Sequence, residues 1–484
     1  MTKLLKITLK ESISFLVMSI KHQDLIIEEG KPFANCKLNR EKYSTVLTGI
    51  VNTYSDGFVL AINNKWGTGK TTFIKMWEQD LKDKKFRTVY FNAWENDFES
   101  NPLVALMGEL KTLIKTETEP EFKTALKKAA VLSKHIVPIV AQAIADRYIN
   151  TKEIRDVIIG VTEGLTDVFE NDVNEYAEKK KSIVEFRKSL SKFIADTNDG
   201  KPLVFIIDEL DRCRPNYAVS ILEQIKHFFS VPNIVFVLAI DKFQLGNAIR
   251  GVYGSDKIDA DEYLRRFIDL EYSIPEPEAD VFHKYLYEYF RFDDFLQKKE
   301  RIKHQGLSSD KREFLIISDI LFSNTSITLR QQEKIYAHSR LALRAFNDNM
   351  YLIPIIYLFL IFVKVTDEEF YNEIKFKKLD FKNLQEGFFK IIKNKYTEDS
   401  ERELMWLEAY LLMYYNNYLG RRNQLYTFES GTRIPQPLIH SILSKSDGMD
   451  LYNIFQSIER TRNGGSLDLG HFIKRIDLTE PIIV

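Results

Sequence analysis

Four residues of this 484-residue sequence stand in a pattern that implies chemistry: Lys70, Thr71, Asp208 and Glu209. Gly69, Lys70, Thr71 and Thr72 end a short polar, glycine-containing turn that follows an apolar run at 58–62. The turn leads into FIKMWEQDL, whose apolar residues recur at helical spacing. Strand, turn and helix in that order are what an anion-binding loop requires. Glycines let successive N–H groups turn inward, and the helix N-terminus adds partial positive charge. Asn64, Trp66, Gly67, Thr68, Gly69, Lys70, Thr71 and Thr72 are the candidate phosphate-binding residues. Lys70 is placed to reach the β- and γ-phosphates, and the Thr71 hydroxyl to ligate Mg²⁺. A strict phosphate-loop pattern has glycine where Asn64 stands. Asparagine tolerates positive φ better than other non-glycine residues, so the turn is expected to form. The alternative is an ordinary strand-to-helix turn with a chance GKT.

The second motif argues against chance. Residues 203–210 (LVFIIDEL) form an apolar run that ends in acids, as in a parallel strand buried on both faces. Open α/β sheets place ligands at the carboxyl ends of their strands, where Asp208 and Glu209 fall. Asp208 suits a carboxylate that holds Mg²⁺ through water opposite Thr71, and Glu209 suits the group that orients or deprotonates an attacking water. Asp241, ending the next strand, is either a sensor of the γ-phosphate or the N-cap of the helix after it. Arg212 either pairs structurally with Asp211 or reaches phosphate from a neighbouring subunit. Arg330, opening a later helix, is a candidate lid arginine, with a surface salt bridge as the alternative. Trp94 is expected to be a packing anchor rather than a stacking platform.

The elements that must position these residues are legible in outline. Residues 39–54 space Tyr43, Val46, Leu47, Ile50 and Val51 as one helical face. Strands are expected at 58–62, 87–94, 203–210, 233–240 and 266–274, separated by helices, which implies a parallel sheet. From about 95 to 200 the chain is helical and rich in Lys and Glu, an insertion whose last helix sets Ile183, Phe186, Leu190, Phe193 and Ile194 on one face. After 278 helices dominate, over 326–346, 367–396 and 401–418. The resulting division is an N-terminal segment (1–38), a sheet domain with its insertion (39–277) and an α-helical C-terminal region (278–484).

Bulk composition narrows the classes. Lys and Arg total 68 against 69 Asp and Glu, so no global field recruits nucleic acid or an anionic membrane. Cys36 and Cys213 are too few for a disulfide framework and suit a reducing cytosol. Residues 1–21 lack the apolar core and cleavage site of a signal peptide. The apolar stretch 351–363 is too short to span a bilayer and reads as a buried core helix. Residues 129–145 carry Lys134 and His135 and read as an amphipathic helix, so the expected location is cytoplasmic, with peripheral membrane attachment as the alternative. Scattered His and Cys give no metal-ligand spacing.

INNKWGTGKTTF, VYFNAWEND, VFIIDELDRCRPNYAVSILEQIKHFF, NIVFVLAIDKFQL and YLRRFIDLEYSIP, in this order, resemble the KAP family of P-loop NTPases. The resemblance covers about 38–277, with weaker likeness to about 346. It implies an ATPase of the additional-strand type, in which the strand ending at Asp241 lies between the phosphate-loop strand and the acidic strand. The family's acidic motif is usually two aspartates followed by Leu-Asp-Arg; here Glu209 takes the second place and keeps a carboxylate. KAP insertions commonly bear membrane helices, whereas this one is poorly apolar. Bacterial relatives are associated with phage exclusion and multi-gene defence. The resemblance therefore implies a regulatory ATPase using ATP and Mg²⁺, with self-association or other defence components as partners. A nucleotide-stabilised scaffold with little turnover is the alternative.

Overall fold

The computed structural model describes residues 25–135 and 165–481, apart from 55, 100, 198–199, 278, 305, 324–326, 421–423, 430–434, 444–448 and 462–466. Most of the N-terminal segment, and the 136–145 part of the stretch considered for membrane attachment, lie outside the described residues. Among the described residues, no helix is long and apolar enough to cross a membrane. The chain forms two compact units, Leu25–Glu276 and Pro277–Val484.

In the first unit, helix α1 (Glu41–Thr53) precedes strand β1 (Phe58–Asn63), helix α2 (Lys70–Asp83) and strand β2 (Arg87–Asn92). Among the described residues, the insertion then supplies α3 (Pro102–Leu110), α4 (Glu119–His135) and α5 (Leu165–Thr197). Next come β3 (Leu203–Asp208), α6 (Pro215–Phe228), β4 (Ile234–Ile240), α7 (Lys242–Tyr253), the single turn α8 (Ala260–Leu264) and β5 (Leu270–Tyr272). The sheet order is β2-β3-β4-β1-β5 and every pairing is parallel. The strand ending at Asp241 thus lies between the loop strand and the acidic strand, as the resemblance implies.

Both faces of the sheet are covered, which is why β3 and β4 are apolar at almost every position. Val204, Ile206, Val235 and Val237 pack with Leu47, Val51, Phe73 and Trp77 of α1 and α2. Phe205, Ile207, Phe236 and Leu238 face the other way, into a core that includes Phe186, Leu190, Phe193 and Ile194 of α5. The α1 face is narrower than its spacing predicts. Ser44, Leu47 and Val51 are buried, whereas Val46 is exposed, because only the stripe against α2 is covered. β5 is also shorter than the expected 266–274. Residues 265–268 turn back on α8 through backbone bonds to residues 261–264, so pairing with β1 begins only where Asp269 N–H donates to Val59 O (3.0 Å).

Register aligns the polar strand ends. Asn92 pairs opposite Asp208, Asp208 opposite Ala239, and Asn63 opposite Ile240, so the loop and the acids share one edge of the sheet.

Among the described residues, the second unit is mainly helical, with a short antiparallel pair, Tyr426–Phe428 with Pro435–Pro437. Its core is built on Pro354–Thr366 and Glu401–Tyr418, and the apolar run expected as a core helix is buried from Pro354 to Val363. Arg301 and Asp310 form a fully buried ion pair, and Arg301 also donates to the backbone oxygens of Asp348 (3.2 Å) and Met350 (2.9 Å). The helix expected over 367–396 is two helices, Glu368–Lys375 and Phe381–Ile392. The first ends at Lys375, Lys377 two residues on takes a left-handed φ of 60°, and the second starts afresh under the Asp380 side-chain cap.

Candidate functional site

The turn between β1 and α2 is shaped by two glycines in the left-handed region, Gly67 (φ 79°) and Gly69 (φ 76°), where a side chain would be strained. Asn64 is not among the positive-φ residues, so its tolerance of that region is not what the position uses. Its side chain does the work instead. Asn64 Nδ2 donates to Ile274 O (2.8 Å) and its Oδ1 accepts from Ile274 N–H (3.0 Å), tying the loop to the chain after β5. Lys70, at the head of α2, is buried and its Nζ donates to Asn64 O (3.0 Å).

Trp66 is gripped from two strand ends. Its backbone N–H donates to Asp241 Oδ2 (3.1 Å) and its indole N–H donates to Asp211 Oδ2. Asp241 also accepts from Gln244 N–H (3.3 Å), so it is the N-cap of α7 and at the same time a brace of the loop. A single carboxylate thus links the end of β4 to the anion-binding turn.

Asp208 is fully buried. One oxygen accepts from Tyr90 Oη (3.0 Å) and the other from Glu209 N–H (2.9 Å), and the Thr71 hydroxyl lies beside the same carboxylate. Burial pushes the Asp208 and Asp211 carboxyls above the usual range, while the neighbouring Thr71 and Tyr90 hydroxyls pull Asp208 back. Burial also draws the Lys70 ammonium below the ordinary lysine value, against the pull of Asp211, Asp208 and Asp241. Three buried carboxyl groups around one ammonium leave an excess of negative charge, and Asp211 Oδ1 is buried with no hydrogen-bond partner. A hydroxyl beside a carboxylate in that surplus fits a hard divalent cation. Among the described residues no three His, Cys, Asp or Glu side chains are grouped to hold a metal, but Mg²⁺ bound through one or two side chains and phosphate needs no such cage.

Glu209 follows in the left-handed region (φ 61°), which turns its side chain out of the strand line. Its Oε1 lies 2.7 Å from Arg212 Nη1 and its Oε2 accepts from Asn92 Nδ2 (3.2 Å). Arg212 therefore pairs with Glu209 and not with Asp211, because the single turn at Leu210–Arg212 puts positions 209 and 212 on one side. Trp94 is exposed rather than a packing anchor. The turn at 93–98 leaves the sheet, and the Trp94 ring lies under the Arg212 guanidinium (5.6 Å). That turn is held by Asn92, whose Oδ1 accepts from Trp94 and Glu95 N–H, and by Arg214, which bonds Asp97.

The cluster lies entirely within Leu25–Glu276. Arg330 belongs to the other unit. It is exposed in the first turn of Leu329–Ala342, whose start is fixed by the Thr328–Gln331 capping box, and it forms no ion pair with a described residue. Sequence reasoning missed Arg40, Tyr90, Asn92 and Asp211. Asn92 carried a readable signal, a polar side chain at the carboxyl end of a strand. Arg40 carried none, since its partners lie 28 and 29 residues away.

A 242-residue stretch is 21% identical to the phage T7 exclusion protein of Escherichia coli strain K12, covering 46% of this chain and 30% of that protein. The chain thus matches less than a third of that relative's length. An uncharacterized protein of Methanocaldococcus jannaschii is 28% identical over 174 residues, 31% of this chain and 88% of the other. The solved structure of the Aeropyrum pernix ORC2 protein, in ADPNP–ADP complexes, aligns over 87% of this chain and 94% of its own at 13% identity, with a TM-score of 0.33 that carries no argument about the site. The model of the KAP family P-loop domain matches residues 40–359. With a family match spanning most of the chain and a phosphate-loop turn set in a parallel sheet, the protein belongs to the KAP family of nucleotide-binding P-loop proteins.

Proposed function

We propose that this chain is an Mg²⁺-dependent ATPase that acts as a regulatory switch, its nucleotide state setting the arrangement of its helical parts. The observation that carries this reading is the register that sets Asp208 and Glu209 at the same sheet edge as the Gly67–Gly69 turn, with the buried Lys70 at the head of α2. In-line phosphoryl transfer needs positioning and charge stabilisation more than covalent chemistry. The Gly67–Gly69 turn presents N–H groups to the phosphates, Lys70 supplies a cation to the β- and γ-phosphates, and Glu209 accepts a proton from, or orients, the attacking water. Thr71 and Asp208 are the residues that would hold Mg²⁺, which supplies charge neutralisation on the phosphate oxygens. Asp241 acts through Trp66, as a brace of the loop. Likeness to a phage exclusion protein supports a role in anti-phage defence, with self-association or other defence components as protein partners.

The deciding experiment is steady-state turnover of ATP and GTP with Mg²⁺ by wild type, Lys70→Ala and Glu209→Gln. Loss of turnover in both variants supports the reading; Lys70→Ala turnover and binding equal to wild type would remove it. One observation favours a second reading, a nucleotide-stabilised scaffold: both Glu209 oxygens are already engaged, by Arg212 and Asn92. Nucleotide binding without turnover in wild type, and full cellular activity of Glu209→Gln, would favour the scaffold.

A further inference from the structure

A loop that grips an anion with its N–H groups must keep its own carbonyl oxygens turned away. In this loop four carbonyls have donors elsewhere. Asn64 O accepts from Lys70 Nζ (3.0 Å) and Lys65 O from Thr68 Oγ1 (2.9 Å). The remaining two are taken by one side chain from outside the loop. Arg40 Nη2 donates to Thr68 O (2.8 Å), and Arg40 Nη1 donates to Gly69 O (3.1 Å), which also accepts from Phe73 N–H in the first turn of α2 (3.1 Å).

Arg40 is only 4% exposed, and its Nε is buried with no hydrogen-bond partner. A buried guanidinium with no carboxylate partner among the described residues is costly, so surface adhesion does not explain it. Its place is fixed by the start of α1, which is locked to α2 through Leu47 and Val51 and by the Trp77 Nε1 bond to Thr48 Oγ1 (2.9 Å). The planar fork of the guanidinium reaches two adjacent carbonyls at once, a geometry that an ammonium cannot match.

We infer that Arg40 is a positioning residue for nucleotide binding: by holding the Thr68 and Gly69 carbonyls it keeps the loop's N–H groups directed at the phosphates. The inference rests on the reading of this loop as a nucleotide site. Arg40 also adds a third fastening to the loop. Asn64 is fastened on one side, Trp66 on another, and Arg40 closes the turn where it meets α2.

The test is the affinity for Mg-ATP and Mg-ADP, by calorimetry, of wild type, Arg40→Met, Arg40→Lys and Lys70→Ala, with the melting temperature of each measured without nucleotide. Arg40→Met should bind about tenfold more weakly or worse, Arg40→Lys should fall between it and wild type, and guanidinium ion at low millimolar concentration should restore Arg40→Met but not Lys70→Ala. Hydrogen exchange of the 67–70 amides in the nucleotide-free protein should speed up in Arg40→Lys, a readout that stands if Arg40→Met does not fold. Arg40→Met binding within about twofold of wild type, or loop exchange in Arg40→Lys equal to wild type, overturns the inference. Lys70→Ala binding as tightly as wild type would instead overturn the nucleotide-site reading beneath it.

Discussion

The carboxylate of Glu209 lies 2.7 Å from the guanidinium of Arg212, three residues on, and that guanidinium in turn rests over the exposed ring of Trp94. The residue assigned to handle the attacking water is thus held by a cation that can be reached from outside. A carboxylate that accepts from Arg212 at Oε1 and from Asn92 at Oε2 is oriented by both, and each oxygen keeps a further lone pair for water, although the Arg212 side chain competes for that approach.

Removing the cation should therefore open the approach of water to the base. Arg212→Ala is expected to raise basal ATP turnover about threefold to tenfold, since a partly exposed ion pair of this kind contributes on the order of 1 kcal/mol. Steady-state phosphate release from wild type and variant checks it. A fall in turnover would mean that Arg212 serves the reaction directly.

Glu209→Gln keeps the Asn92 contact and the backbone turn but cannot accept a proton. Nucleotide affinity should stay within about threefold of wild type while turnover falls by on the order of a hundredfold or more, the usual scale of a lost general base. Equilibrium binding and single-turnover hydrolysis, measured on the same preparation, separate the two effects.

Restoring the pattern glycine should do harm rather than good. Asn64→Gly removes both hydrogen bonds to Ile274 and leaves that backbone unpaired, at a position whose φ does not call for glycine. The expected cost is about 1 to 3 kcal/mol of stability, with no gain in nucleotide affinity. Thermal melting and binding of Mg-ADP test it. An unchanged melting temperature with tighter binding would refute the bracing role of Asn64.

How far the site could be read before the structure depends on how local each interaction is. The turn at 63–70 and the acids at 208 and 209 are written in consecutive residues, because glycine dihedrals and an apolar run ending in acids are local signals. The position of β4 between β1 and β3 came from family likeness, since periodicity alone does not order strands. What could not be read were partnerships across the chain: Asn92 with Glu209 is 117 residues apart and Trp66 with Asp211 is 145. Trp94 was misjudged for the same reason, because exposure at a strand end is decided by whether a neighbouring element covers it. The break at Lys377 shows a different limit. Apolar spacing runs on through a helix stop when two amphipathic helices face one core.

The second unit carries a prediction that does not depend on nucleotide at all. Lys395 is buried, its Nζ donates to Leu321 O (2.7 Å) and sits over the Phe362 ring (5.0 Å), and burial pulls its pKa down to about 8. In the unfolded chain the same ammonium titrates at the ordinary lysine value of about 10.4. Below pH 8 both states carry the proton, and the folded state bears the full cost of a buried charge. As pH rises from about 8 towards 10 the folded state sheds its proton while the unfolded state keeps it, so the unfolded state binds more protons and stability rises with pH. Lys395→Met keeps the stem and removes the titration. Between pH 7.5 and 9.5, wild type should therefore gain stability relative to Lys395→Met, by up to about 1 kcal/mol per pH unit at the top of that window. Parallel denaturant melts at several pH values measure the difference directly, and other titrating groups cancel because they are common to both proteins. A constant offset between the two proteins across the window would show that Lys395 is not titrating there.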